Sequence, residues 1–299
     1  MAETRQWMAG RPTQPRLYAL AEQVGRLEAL DRPAEAWARK VRGALDPGPL
    51  KDALSGAWLG HALHPLLTDV PIGTWSSATI LDVLGGRRSQ QATERLIAIG
   101  VLAAVPTAVT GSNDWADTTP ADDSVRRIGA VHAVANTLAL ALYGSSLAAR
   151  RRRRRGLGVA LGLAGLGGLV VGGHLGGHLS YDKAVGVQNT AFREFPGEWT
   201  PTVPGNDVRE GEATVAIAGD VDVLLTRHQG RIYALADRCT HRSGKLSEGT
   251  LENGCVTCPL HGSIFRLVDG SVVRGPAGAP EPAFDVRVED GTVQVRVRD

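Results

Sequence analysis

The stretch CTHRSGKLSEGTLENGCVTCPLHG, residues 239–262, holds all three cysteines of the 299-residue chain. Cys239-Thr240-His241 opens it and Cys258-Pro259-Leu260-His261-Gly262 closes it, with sixteen residues between His241 and Cys258. Around this stretch, Val221, Val223 and Leu225 alternate with Asp222 and Leu224. Val286 and Val288, then Val293, Val295 and Val297, alternate with polar residues about Asp290-Gly291. Such period-two alternation around a turn dipeptide marks half-buried hairpin strands. Toward the N-terminus the character changes, and residues 55–180 hold long uncharged runs of Ala, Leu, Gly and Val. The chain therefore reads as one membrane half and one soluble half. Hydrophobic residues at 43% and charged ones at 21% exclude a disordered or collagen-like chain. Three cysteines exclude a disulfide scaffold. Arginine outnumbers lysine 29 to 4, which points to a GC-rich bacterial genome.

Two loops that each supply one Cys and one His closely resemble the Rieske [2Fe–2S] domain, over about residues 198–299. The resemblance implies a cluster in which Cys239 and Cys258 hold one iron and His241 and His261 the other, His for Cys raising the potential. It also implies a small antiparallel β-sandwich with the cluster at its tip. A zinc finger would instead put both Cys in one knuckle and both His on a helix. Ser263 matches the serine whose hydroxyl points at a cluster sulfide in high-potential members. Phe265 stands where those members carry a tyrosine hydroxyl. The cysteine pair that bridges the two loops in cytochrome bc complexes corresponds here to Gly244 and Leu260, so that disulfide cannot form. With one of two potential-raising hydrogen bonds missing, the potential is expected in the middle or lower part of the range of about −150 to +300 mV. A redox titration above about +250 mV would contradict this. Cys255 is left over, and is expected to point away from Cys258 as a buried structural thiol.

In the membrane half, four stretches approach the roughly 20 apolar residues of a transmembrane helix. They are His64–Leu84, with Asp69 and Asp82; Leu96–Ser112, with Pro106; and the charge-free Ile128–Ala149 and Gly156–Ser180. Gly168, Gly172 and Gly176 recur every four residues, as do Gly173 and Gly177, a face that another helix or a flat cofactor can approach closely. Arg150–Arg155 is an unbroken run of six, and Arg87, Arg88 and Arg95 lie on the same side, opposite the acidic Asp114, Asp117, Asp122 and Asp123. The basic side is assigned to the cytoplasm, which puts the Rieske domain outside. The nine basic residues of positions 1–52, without a secretory leader, pull the other way. Leu17, Leu20, Val24 and Leu27 fall on one helical face that Trp37 and Val41 continue after Pro33, as in a helix lying on a membrane or a neighbouring domain. The expected division is an amphipathic helical region at 1–54, a four-helix transmembrane bundle at 55–182, a linker at 183–199 and the all-β Rieske domain at 200–299.

Histidines gather at one end of these helices. His61 and His64 begin the first segment, His132 lies near the start of the third, and His174 and His178 lie near the end of the fourth. Ionisable groups inside a bilayer are costly and point to function. Haem b, with axial ligands among His64, His132, His174 and His178, is the first expectation, and copper or zinc the second. For any single one, a ring satisfied by a backbone carbonyl is the plain alternative. This half resembles a family of four-helix membrane domains, known by prediction and sometimes joined to an iron–sulfur domain. His64-Pro65, His132 and Gly172-Gly173-His174 carry the likeness.

Taken together, the expectation is a multi-pass bacterial membrane protein that relays one electron between a [2Fe–2S] cluster and a His-rich membrane site. The alternatives are a membrane-anchored Rieske ferredoxin serving a separate reductase or oxygenase, and a redox sensor. Partners would be the lipid bilayer and redox proteins or a quinone, with no nucleic acid. No nucleophile–base set, phosphate loop or nicotinamide fingerprint stands out, and after the last strand there is no room for a mononuclear-iron domain, so no catalytic residue is expected. The linker, extended, could span about 65 Å, which suggests a mobile cluster domain.

Overall fold

A computed structural model describes residues 15–45, 48–118 and 122–298. Among these, seven α-helices precede ten strands: α1 Arg16–Gly25, α2 Asp31–Ala44, α3 Pro49–Ser55, α4 Leu63–Leu84, α5 Gln90–Thr118, α6 Asp123–Arg151 and α7 Arg155–Tyr181. By length and composition α5, α6 and α7 can cross a membrane. The expectation of four spans is met by three of them. α4 has 22 residues, but Asp69, Pro71 and Asp82 interrupt its apolar surface. α4 packs chiefly on α5 and α6 chiefly on α7, and the two hairpins touch each other less.

The α6–α7 pairing explains the glycines. A side chain built on Gly158 would collide with Arg150, on Gly165 with Tyr143, on Gly172 with Asn136 and on Gly176 with His132. As one helix descends the other rises in step, so each large α6 side chain lies on an α7 backbone that lacks a Cβ. The small face expected to admit a helix or a flat cofactor is occupied by α6. The Tyr143 ring in turn stacks on Trp75 of α4, with centroids 4.4 Å apart.

At the basic end, Arg150 departs from its expected place in the loop. It is 1% exposed and forms a two-pronged ion pair with Asp82, Nη1 donating to Oδ1 at 2.9 Å. The two charges read separately, one as a flaw in a span and the other as a topology signal, neutralise each other. Arg151 to Arg154 remain exposed.

Of the two placements expected for the N-terminal leucine face, the structure does not show, among the described residues, the one against a neighbouring domain. α1 buries Ala21 and Gly25 rather than its leucines, and Gly25 lies against Ser124 and Ile128 of α6. Leu17, Leu20, Leu27 and Trp37 face outward. Pro33 stands in the first turn of α2, where a missing N–H costs nothing. Arg126 and Arg127 of α6 both donate to Asp31, and Lys51 pairs with Asp117 at 2.6 Å. These ion pairs bind α2 and α3 across the end of α5 and α6.

The C-terminal part is antiparallel β, as its alternation implies. The strands are β1 Thr200–Pro204, β2 Thr214–Ala218, β3 Val221–His228, β4 Arg231–Ala236, β5 Thr250–Glu252, β6 Cys255–Thr257, β7 Ile264–Arg266, β8 Val272–Arg274, β9 Ala283–Glu289 and β10 Thr292–Val297. Six form one sheet in the order β1-β10-β9-β4-β3-β2, and β5-β6-β7-β8 form a second. Asp290 and Gly291 both take positive φ between β9 and β10, so the two-residue turn sets Glu289 opposite Thr292. Val223, Leu225, Val293 and Val295 fill the core of the larger sheet.

In place of an extended tether, residues after α7 fold onto the β domain. Asn189 donates its backbone N–H to Thr240 O at 2.9 Å and its side-chain amide to His241 O at 2.6 Å. Arg242 donates to Lys183 O at 3.1 Å and lies 3.9 Å from Asp122. On the other side, Gly275 N–H donates to Asp52 Oδ1 at 3.0 Å, and Gly278 abuts the backbone of His61.

Candidate metal centre

The two Cys–His loops are closed by the same pair of backbone hydrogen bonds. Cys239 N–H donates to Gly244 O and Ser243 N–H to Cys239 O. Cys258 N–H donates to Ser263 O and Gly262 N–H to Cys258 O. In both, the residue four after the cysteine takes positive φ, Ser243 at 54° and Gly262 at 75°. A non-glycine residue rarely holds that conformation, so the first loop carries strain where the chemistry lies. One loop follows β4 and the other follows β6, which puts them at one end of the β domain.

The thiols of Cys239 and Cys258 are 1% and 2% exposed and hydrogen-bond to each other, which pushes Cys239 up and holds Cys258 down to about 7. The His241 and His261 rings meet edge to face with centroids 4.9 Å apart. One buried nitrogen of each, His241 Nδ1 and His261 Nε2, has no hydrogen-bond partner. Buried polar groups are normally satisfied, so these nitrogens fit a ligand outside the protein. A zinc ion would draw its four donors to within about 4 Å of one another. Among the described residues, the His/Cys/carboxylate trio with donor atoms within 4.8 Å of one another is Glu22, His178 and Asp182. The wider Cys2His2 set fits a two-iron cluster better than one ion.

The surroundings match that reading. A Cβ on Gly244 would lie 3.0 Å from Cys258 Sγ and 2.9 Å from Leu260, so the two positions compared with the disulfide of the bc complexes face each other as an apolar contact. Ser263 is fully buried, and its Oγ accepts the Ala277 N–H at 3.0 Å, which leaves its proton free to donate. Phe265 is fully buried in the core around both cysteines and offers no hydroxyl. Cys255 is half-buried rather than buried, at the start of β6 and away from the thiol pair. Glu281 had no signal in the sequence. It is 2% exposed, its Oε1 accepts the Thr240 N–H at 2.5 Å, its Oε2 has no partner, and burial pushes it up to about 8.

Burial pushes the imidazoles of His241 and His261 down, to about 3 and about 4. Both are neutral at pH 7, the form that binds iron. The unfolded chain takes up these protons near pH 6.5, so below that pH it holds more protons than the native state, and stability is lost as pH falls toward 4. In the iron-free Glu281→Gln protein the unfolding midpoint should therefore be lower at pH 5 than at pH 7, by the equivalent of about 2 kcal/mol per histidine, a fall that Glu281, pushed up to about 8 by burial, offsets in part in the wild type. An unchanged midpoint would contradict this account.

The five membrane-half histidines do not converge on one point. His61 is exposed, with Nδ1 near its neighbour's carbonyl. His174 uses Nε2 on Leu17 O at 3.2 Å, and His178 uses Nε2 on Glu22 at 3.0 Å. Lys183 neutralises Glu22 and Asp182 at 2.6 and 3.1 Å, so that acidic trio is an ion-pair network and not a metal site. His64 and His132 lie apart from these, on the bundle.

Comparison with known proteins separates the two halves. The Rieske [2Fe-2S] domain family matches residues 198–289, and the predicted membrane protein family DUF2231 matches residues 60–189. The anthranilate 1,2-dioxygenase ferredoxin subunit of Burkholderia cepacia is 33% identical over 100 residues, covering 33% of this chain and 93% of that protein. The 3-phenylpropionate/cinnamic acid dioxygenase ferredoxin subunit of Escherichia coli (strain K12) is 40% identical over 91 residues, covering 30% and 85%. Among solved structures, the ferredoxin of carbazole 1,9a-dioxygenase from Nocardioides aromaticivorans IC177 aligns at 22% identity, covering 33% of this chain and 98% of its own, with a TM-score of 0.32.

Proposed function

Because this chain belongs to the Rieske [2Fe-2S] domain family through residues 198–289 and to the DUF2231 predicted membrane protein family through residues 60–189, we propose that it is a membrane-bound one-electron carrier. Cys239, His241, Cys258 and His261 hold the [2Fe–2S] cluster, which supplies reversible one-electron chemistry when bound. Ser263 donates its hydroxyl proton toward the cluster. Gly244 leaves room beside Cys258, and the buried loops keep water from the thiolates. We keep the division at 1–54, 55–182, 183–199 and 200–299, with α4 as a fourth span alongside α5.

One observation carries this reading: the β domain rests on residues 183–189 through His241 and Arg242 of the first cluster loop and on residues 52–61 through Gly275 and Gly278, at the end of the helices where His64 and His132 lie. That contact supports a cluster held at the membrane surface and a relay of electrons toward the bundle. The outward-facing Tyr181, Phe192 and Trp58 at the same level suit a membrane interface. A second reading, an anchored ferredoxin serving a separate reductase and oxygenase, is favoured by the likeness to dioxygenase ferredoxin subunits. In both, the redox partner is a protein or a quinone, and the location is the bacterial cell membrane. The exposed Arg151–Arg154 turn faces the cytoplasm and the cluster domain faces outward.

The test uses the full chain in its host membrane. The signal of the reduced cluster should stay with membranes through a high-salt wash, and a cysteine placed at Glu210 should react with an impermeant thiol reagent in intact cells. A cluster signal in the soluble fraction would refute the membrane role. Labelling at Arg152→Cys instead of Glu210→Cys would reverse the orientation.

A further inference from the structure

The tautomers of the membrane histidines separate them into two kinds. His64 Nδ1 lies 2.9 Å from Thr107 O, and His132 Nδ1 lies 2.8 Å from Gly172 O. A carbonyl only accepts, so Nδ1 carries the proton in both rings and Nε2 is left with its lone pair. His174 and His178 are the reverse in use, with Nε2 already engaged by Leu17 O and Glu22.

His64 and His132 share further features. Each ring lies on a glycine of the neighbouring helix, Gly111 of α5 and Gly176 of α7, where a Cβ would collide with it. Each belongs to a different hairpin of the bundle, and the two rings lie within electrostatic reach of each other. Counted at 1.5 Å per residue, Gly111 is about 10 Å from the end of α5 and His132 about 13 Å from the start of α6, so the rings lie at similar depth. Both rings are only partly buried. Among the described residues nothing bonds His64 Nε2. His132 Nε2 lies 3.2 Å from the Asn136 amide nitrogen, whose second N–H goes to His132 O at 2.9 Å, so a ligand at this Nε2 takes the place of the Asn136 contact.

We propose that His64 and His132 are an axial pair for a haem seated between the two hairpins. An Nδ1–H held by a backbone carbonyl is the arrangement that fixes a ligating histidine and raises its basicity at Nε2. No third His, Cys or carboxylate donor joins these two among the described residues. A bare zinc or copper ion would need more protein ligands, whereas a metal macrocycle brings its own equatorial donors. The inference deepens the relay reading, and its test reads the bundle separately from the cluster.

The full chain, purified in detergent from haem-replete cells, is assayed for haem, non-haem iron and acid-labile sulfide. The expected result is one haem beside two non-haem irons. His64→Ala and His132→Ala should each lose haem by at least about tenfold while keeping iron and sulfide, and His174→Ala and His178→Ala should keep all three. His132→Met, which retains an axial donor, should keep the haem with a shifted α band. Cluster iron without haem in the wild type would overturn the proposal, as would another metal in its place. Haem retained in both His64→Ala and His132→Ala, or lost equally from the His174 and His178 variants, would overturn it too.

Discussion

Cys258→Ala is expected to remove the cluster altogether, with iron and acid-labile sulfide falling by more than about tenfold and the visible and paramagnetic signals lost. Cys258 is 2% exposed and its thiol meets that of Cys239, so no water or neighbouring side chain stands ready to replace it. The two loops are closed by their own backbone hydrogen bonds, and the larger sheet has its own core. Strand content should therefore survive, and far-ultraviolet circular dichroism should change little. Cys255→Ser is the matched control. Cys255 is half-buried on β6, where it pairs with Glu252 and Arg266, and its loss should leave iron and sulfide intact. Equal loss from both variants would remove Cys258 from the ligand set.

The second large effect belongs to the other end of the molecule. Arg150→Met should destabilise the helical part by about 3–5 kcal/mol, because it leaves Asp82 buried without its counter-charge. The Arg150 side chain has no exposed surface and that of Asp82 is 6% exposed, so solvent cannot take over. Arg152→Met, on the exposed turn next door, should cost less than about 0.5 kcal/mol. The double variant Asp82→Leu/Arg150→Met should recover most of the loss, since paired removal leaves no orphan. Thermal unfolding in one detergent distinguishes these cases. A mild Arg150→Met, or a double variant no better than the single, would show that the pair carries no such energy.

What the sequence made legible was local. The Cys–His loops, the Asp290-Gly291 turn and the alternating valines each signal within a few residues, and the structure has the matching loops, hairpin and strands. The charge-free runs likewise became α6 and α7. Long-range pairing was not legible. Asp82 and Arg150 are 68 residues apart, and nothing near either one indicates the other. The leucine stripe of α1 was legible as an apolar face, but not that α1 meets α6 through Ala21 and Gly25, where the approach is too close for leucine. The histidines were legible as a group at one end of the helices. Their separation into two kinds depended on which ring nitrogen each one turns to a backbone carbonyl or a carboxylate. The docking of Gly275 and Gly278 on Asp52 and His61 joins positions more than 200 residues apart and has no sequence signal.

The glycines of α7 also decide how this hairpin can move. A slide of one helix past the other by one turn, about 5.4 Å, would bring Tyr143 against Gly162 or Gly168, the flanking α7 positions that face α6, in place of Gly165. Both lack a Cβ, so the glycine row that lets the helices approach also leaves the ring a place in the neighbouring register, and a piston-like shift meets no side chain of α7 there.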